Sequence, residues 1–441
     1  MRNFLFRHID NSALIVFRIL FGALIFLESV GAIVTGWIRR TLIEPDFTFN
    51  FIGFEFLQPL PGNWMLAYYG VMGVFGLMVM LGYKYKLSIW SFALMWACVY
   101  LMQKSSYNNH YYLLMILNVI MAILPAHRYY SIDAKLNPKI KTISMPNWCR
   151  WIFIIQLIIV YTYAAKAKIY PDWLNLTVPE ILMKGKKDYW LVGDILQQPW
   201  IHYLIAYGGI LFDGLFIPAL LWKPTRKFAF FASIFFHLFN SFIFQVGIFP
   251  YLSLAFCLFF FEPRLVNRLF LKQKPFYSEN EIKVPKYATA FMTVFVLYFI
   301  VQTVLPLRHH FIPDNVLWTE EGHRLSWRMM LRSKSGSTSY RVIDKATGRV
   351  IPIKLTDYLS KKQTRSASTK PDVIWQFSQR LKSIYAKKGM DVEVYVRAFV
   401  RVNGRKSQRL IDPDVDLASV KWDPFKHSEW ILPSKLSENA R

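Results

Sequence analysis

Nine stretches of this chain are too continuously apolar to be the buried stripe of a water-soluble domain: Ser12–Trp37, Asn63–Gly82, Leu87–Met102, Tyr111–Pro125, Cys149–Ala165, His202–Trp222, Phe228–Phe244, Phe249–Phe261 and Tyr287–Leu307. A hydrocarbon core about 30 Å thick takes roughly 20 apolar residues as helix, so each stretch reads as a membrane-crossing segment. The fourth and eighth are short for a full crossing. Basic residues cluster after the even segments: Lys84 and Lys86; Arg128, Lys135, Lys139 and Lys141; Lys223, Arg226 and Lys227; Arg264, Arg268, Lys272 and Lys274. Positive charge marks the cytoplasmic side, which places the N-terminus inside and, after nine crossings, the C-terminal region outside. Phe17–Val34 holds Arg18 and Glu28 and is followed by no small-residue cleavage pattern, so it is expected to be retained as the first span.

Between the fifth and sixth spans, Trp173–Trp200 mixes Leu, Ile and Trp with Lys184, Lys186, Lys187 and Asp188. That blend predicts a helix lying in the outer interface. Beyond Leu307 the pattern becomes that of a soluble domain. Tyr340–Ile343 and Val350–Ile353 read as a hairpin, with Gly348 in the turn and Pro352 marking an edge strand. Ile374, Phe377, Leu381 and Ile384 share one face of a helix over Pro371–Lys388, stopped by Gly389. Val392, Val394, Val396, Ala398, Val400 and Val402 then alternate with polar and aromatic residues before Asn403-Gly404, a hairpin signal. The predicted fold is an α-helical polytopic membrane bundle of about nine spans, residues 1–307, followed by a small α+β extramembrane domain, residues 308–441.

Composition agrees: 54% of residues are hydrophobic and only 18% charged, against about 25% charged in ordinary soluble domains. The net charge of +25 suggests an anionic partner. About half of it lies in and between the spans, which points to the lipid bilayer rather than to nucleic acid. The three cysteines lack paired spacing, so no metal site is expected.

Polar groups inside such a bundle are costly and mark places to look for chemistry. Tyr161, Ala164, Ala165 and Lys168 fall on one helix face. The alanines leave room for a flat ligand between the phenol and the amine. Burial favours the neutral amine, which can act as a base, whereas the helix C-terminus favours the cation; a lysine snorkelling to the interface is the plain alternative. Asn108-Asn109-His110 opens the fourth span, either as a polar helix cap or as a proton-handling site. His237, Asn240 and Ser241 share a face of the seventh span, as interhelical glue or as ligand contacts. Arg18 and Glu28 are too far apart to pair and should each meet a neighbouring span.

In order and spacing, several blocks resemble the vitamin K-dependent gamma-carboxylase family, which shares a horizontally transferred transmembrane domain. They are Asn108-Asn109-His110, Tyr161 to Asp172-Trp173, His237 to Ser241 with Gly247, Trp318-Thr319, Ser326 to Met330, Asp412-Pro413, Val415-Asp416, Trp422, Pro424-Phe425 and Trp430. The resemblance runs from about Asn3 to Pro433. It implies a vitamin K hydroquinone cofactor (menaquinol or phylloquinol), with O2 and CO2 as co-substrates and no metal. The quinol is oxidised to its epoxide, and the strong base so formed lets CO2 add to the glutamate of a protein or peptide on the outer side. Lys168 resembles the family's base toward the hydroquinone and His110 its assisting histidine. Asn109, Tyr161, His237 and Met329 resemble positions near the quinone, and Asn240, one turn beyond His237, is grouped with them. The chain ends soon after Trp430, where vertebrate members continue much further. The expectation is therefore a bacterial-type homologue in the inner membrane, using menaquinol, with its C-terminal domain in the periplasm. A quinol epoxidase or oxidase that does not carboxylate, or a non-enzymatic transporter or scaffold, are the competing expectations.

Overall fold

The computed structural model describes residues 1–436. Seven helices in it are long and apolar enough to cross a bilayer. In chain order the main helices are α1 (Ser12–Val34), α2 (Trp64–Leu81), α3 (Tyr85–Met102), α4 (Asn109–Ile123), α5 (Trp148–Ala167), α6 (Thr177–Lys184), α7 (Pro199–Leu221), α8 (Arg226–Phe244), α9 (Phe249–Phe259), α10 (Pro263–Phe270) and α11 (Ala288–His310). The two expected segments that fall short are the fourth, α4, and the eighth, where α9 and α10 meet at a bend of 118°. Small residues bring the first two spans together: a Cβ on Gly22 would collide with the Met80 backbone, and one on Gly76 with that of Phe26.

Contacts sort the loops onto two faces. On one face strand β1 (His8–Asp10) pairs antiparallel with β2 (Ser144–Pro146). Asp10 there holds Lys274 at 2.7 Å in a fully buried pair. Asp133 accepts from the amides of Lys84 and Tyr85 at 2.8 and 2.9 Å. The Arg18 guanidinium reaches the Tyr130 carbonyl at 2.5 Å. The N-terminus and the loops after α2, α4 and α10 therefore lie together. On the opposite face the C-terminal domain touches the loops after α1, α3 and α5. Gln363 donates to the Phe47 carbonyl at 2.7 Å, Lys104 pairs with Asp372 at 2.6 Å, and Asp172 accepts from Asn403 at 2.8 Å. Short α4 joins the two faces, because the carbonyls of Ala122 and Leu124 accept from Lys86 at its far end. So does α9, whose last carbonyl, Phe259, accepts from Arg150 at 2.6 Å.

The stretch expected to form one interface helix is broken into short pieces, of which α6 is the longest. Gly185 ends α6, and at Gly193 the chain passes so close to the Lys187 carbonyl that no side chain fits. In the C-terminal domain a four-stranded antiparallel sheet runs β4-β3-β5-β6, with β3 (Lys334–Asp344), β4 (Val350–Ile353), β5 (Val392–Val402) and β6 (Gln408–Arg409). The hairpin register pairs Ile343 with Val350, leaving the Pro352 strand at the edge. Alternate residues of β5 are buried beneath Ile374, Phe377 and Leu381 of α13 (Pro371–Ala386), which follows the short α12 (Lys361–Ala367). Asn403 and Gly404 both take positive φ, +51° and +76°, as a tight hairpin turn requires.

Candidate active site

A cavity of about 520 Å³ lies in the half of the bundle nearest the C-terminal domain, walled by α5, α7, α8 and α9 and roofed by Met329 and Met330 of that domain. Its lining is mainly apolar, with Phe the commonest residue, and its polar members are His110, Tyr161, Lys168, Asp213, His237 and Asn240. A greasy enclosure with a few converging polar groups is the usual form of a small-molecule site.

α5 delivers Tyr161 and Ala164 to the cavity, and Lys168 follows where the helix stops. The Lys168 ammonium forms an ion pair with the Asp213 carboxylate of α7; the two side chains are only 12% and 7% exposed. The Trp173 ring lies 5.8 Å from the same nitrogen, and its indole N–H donates to the Ala206 carbonyl at 3.1 Å, bracing that corner. Below it, the Tyr161 hydroxyl and His237 Nε2 share a hydrogen bond of 3.1 Å. His237 Nδ1 is buried without a partner among the described residues. The His110 ring stacks on Phe249, centroids 4.1 Å apart, which fixes its plane on the cavity wall. Its nitrogens make no hydrogen bond among the described residues.

Asn240 and Met329 also line the cavity. Asn109 does not: its carboxamide accepts from the Tyr107 hydroxyl and donates to the Arg328 carbonyl, both at 2.8 Å. It ties the roof segment to α4. That segment carries positive φ at Leu325, Trp327 and Met330, and Trp327 stacks on Tyr112 at 4.8 Å. Asn108 caps α4 by accepting from the Tyr111 amide at 2.7 Å. Ser241 shares a hydrogen bond with Tyr251 at 3.0 Å and does not line the cavity. Glu28 lies outside this cavity, in a second one of about 340 Å³ with Tyr69, Tyr100 and Tyr111.

Sequence reasoning overlooked Asp213. Its signal was present, as the lone carboxylate in the apolar run Ile210-Leu211-Phe212-Asp213-Gly214-Leu215. Among the described residues no group of three or more His, Cys, Asp or Glu could hold a metal ion. A flat, hydroxylated aromatic ligand with an apolar extension suits the lining. It would find the unpartnered nitrogens of His110 and Nδ1 of His237, one amine and one carboxylate within a mostly hydrocarbon wall.

Residues 6–264 match the family model described as the HTTM domain. Residues 287–437 match the lumenal domain of vitamin K-dependent gamma-carboxylase. No solved structure matches the chain.

Proposed function

We propose, from the premise that this chain belongs to the vitamin K-dependent gamma-carboxylase family, that it is a membrane enzyme which oxidises a vitamin K-type hydroquinone with O2 to the epoxide and couples that oxidation to CO2 addition at a protein glutamate. The observation that carries the reading is one cavity in the bundle that gathers Lys168 with Asp213, Tyr161 with His237, and His110. When bound, the quinol supplies the reducing equivalents and, with O2, the strong base that carboxylation needs.

Lys168 is the proposed proton acceptor. Within the Lys168–Asp213 pair a proton can reside on either partner. When Asp213 holds it, the free amine can take another from a quinol hydroxyl, and Trp173 and the apolar wall keep bulk water from competing. Tyr161 and His237 present a hydroxyl and an imidazole as a joined pair that can orient the ligand's second oxygen. His110, held flat by Phe249, is the proposed proton donor or acceptor of the oxygen or carbanion step. The proposed glutamate substrate approaches from the side of the basic α+β domain, whose charge favours acidic peptides. The basic loops of the opposite face support a cytoplasmic position for it, and hence a periplasmic outer domain in a bacterial inner membrane where menaquinol is dissolved.

The test is aerobic incubation of the purified protein with reduced vitamin K, labelled CO2 and Glu-containing peptides. Wild type should form epoxide and incorporate label, and Lys168→Ala should form neither while still folding. Wild-type epoxide formation by Lys168→Ala would overturn the assignment of the base. Epoxide without label would identify a quinol epoxidase instead.

A further inference from the structure

We infer that the cavity opens sideways into the bilayer through a slot between α7 and α8, and that this slot takes the isoprenoid tail of a lipid-dissolved quinol. The inference rests on the functional reading above and names the route and the tail that go with it. Leu204 of α7 and Phe235 of α8 both line the cavity and are 60% and 76% exposed, more than the lining of a closed cavity would be. A side chain can do both only where the wall is breached. Phe235 lies about 13 Å along the helix from Arg226 on the basic face, which sets it among acyl chains rather than headgroups.

Both flanking helices are irregular beside the slot. α7 widens into a π-helical turn at Leu204–Gly208 and α8 into another at Asn240–Phe244. Such turns interrupt the regular hydrogen-bond ladder and recur at functional sites. Gly208 and Gly209 both line the cavity. Gly209 is buried, but a Cβ placed on it would meet nothing within 4 Å, and one on Gly208 would meet only Leu204 of its own helix. Tight packing therefore does not require these glycines; their missing side chains leave room in the wall. A ligand with a polar aromatic head and a long branched hydrocarbon tail fits this shape, head beside Lys168 and His237 and tail in the slot. A head group arriving from water would need no such breach.

The experiment compares two naphthohydroquinones, one with a single isoprene unit and one with four, on wild type, Gly208→Phe and Leu204→Trp in nanodiscs. Excluding even two methylene groups from the slot is worth about tenfold. The ratio of kcat/KM for the long-tailed to the short-tailed quinol should fall by at least that factor in either variant. Thermal midpoints check that the variants fold. An unchanged ratio in both folded variants overturns the slot while leaving the enzyme assignment intact. A wild type that oxidises neither quinol overturns the enzyme assignment and the slot with it.

Discussion

Lys168 and Asp213 offer a test in which stability and chemistry move apart. Lys168→Met removes the ammonium and keeps most of the stem; Asp213→Asn removes the charge and keeps the shape. With side chains 12% and 7% exposed, the pair resembles a buried ion pair more than a surface one. Removing one partner of a buried pair costs about 3–5 kcal/mol, because the survivor is left as an uncompensated charge, whereas replacing both is often nearly neutral. Slight exposure and the open cavity beside the pair place each single change near the lower end, about 3 kcal/mol. The double variant Lys168→Met/Asp213→Asn should sit within about 1 kcal/mol of wild type, a strongly non-additive cycle. Turnover should follow a different order. Loss of a proton acceptor costs about a hundredfold to ten-thousandfold, so Lys168→Met and the double variant should be equally inactive although only one of them is unstable. Unfolding midpoints and epoxide formation, measured on the same preparations, read both quantities. Additive destabilisation would show that the two groups do not form an ion pair. Recovery of epoxidation in the double variant would show that the amine is not the base.

Asp372 should govern the docking of the C-terminal domain. Burial alone would raise its carboxyl, but Arg324 and Lys104 outweigh burial and hold it well below the usual carboxylate range. A depressed carboxylate contributes stability that is present above its unfolded value, about 3.9, and is lost as pH falls further. Asp372→Asn should therefore melt below wild type at neutral pH, with the gap narrowing as pH drops below about 4; a gap independent of pH would refute this. Asn109→Ala leaves the Tyr107 O–H without its acceptor and the Arg328 carbonyl without the Asn109 donor, at a cost of about 1–3 kcal/mol. Because the loss loosens the Met329–Met330 roof, KM for the quinol should rise more than kcat falls, and steady-state kinetics of the folded variant would show whether it does.

The bundle was legible because its governing signal is local. A run of apolar residues states its own environment, and even the two short crossings, α4 and the bent α9–α10, could be read as short from the sequence. The C-terminal sheet was legible in its strands and turns for the same reason: β5 alternates strictly, and Asn403-Gly404 supplies the positive φ values its turn needs. Trp173–Trp200 was not, since its amphipathic composition does not reveal the close backbone approach at Gly193 that breaks it.

The candidate site divides along the same line. Tyr161 and Lys168 share a helix face, and spacing alone reveals that; Asn109 and His110 are one residue apart, about 100° around a helix. Which of these two faces the cavity depends on how α4 is rotated against the C-terminal domain, and the carbonyl of Arg328, more than 200 residues away, holds Asn109 away from it. Asp213 is the sharper case. Its carboxylate was conspicuous in an apolar span, but a charge in a membrane segment says only that some partner exists. Naming Lys168 required knowing that α5 and α7 pack side by side with those two residues at one level. Intramembrane charges can thus be listed from a sequence, but pairing them is a property of helix packing. In this chain the proposed chemistry belongs to the pair, because an amine in that wall without its carboxylate would lack the acid it is paired with.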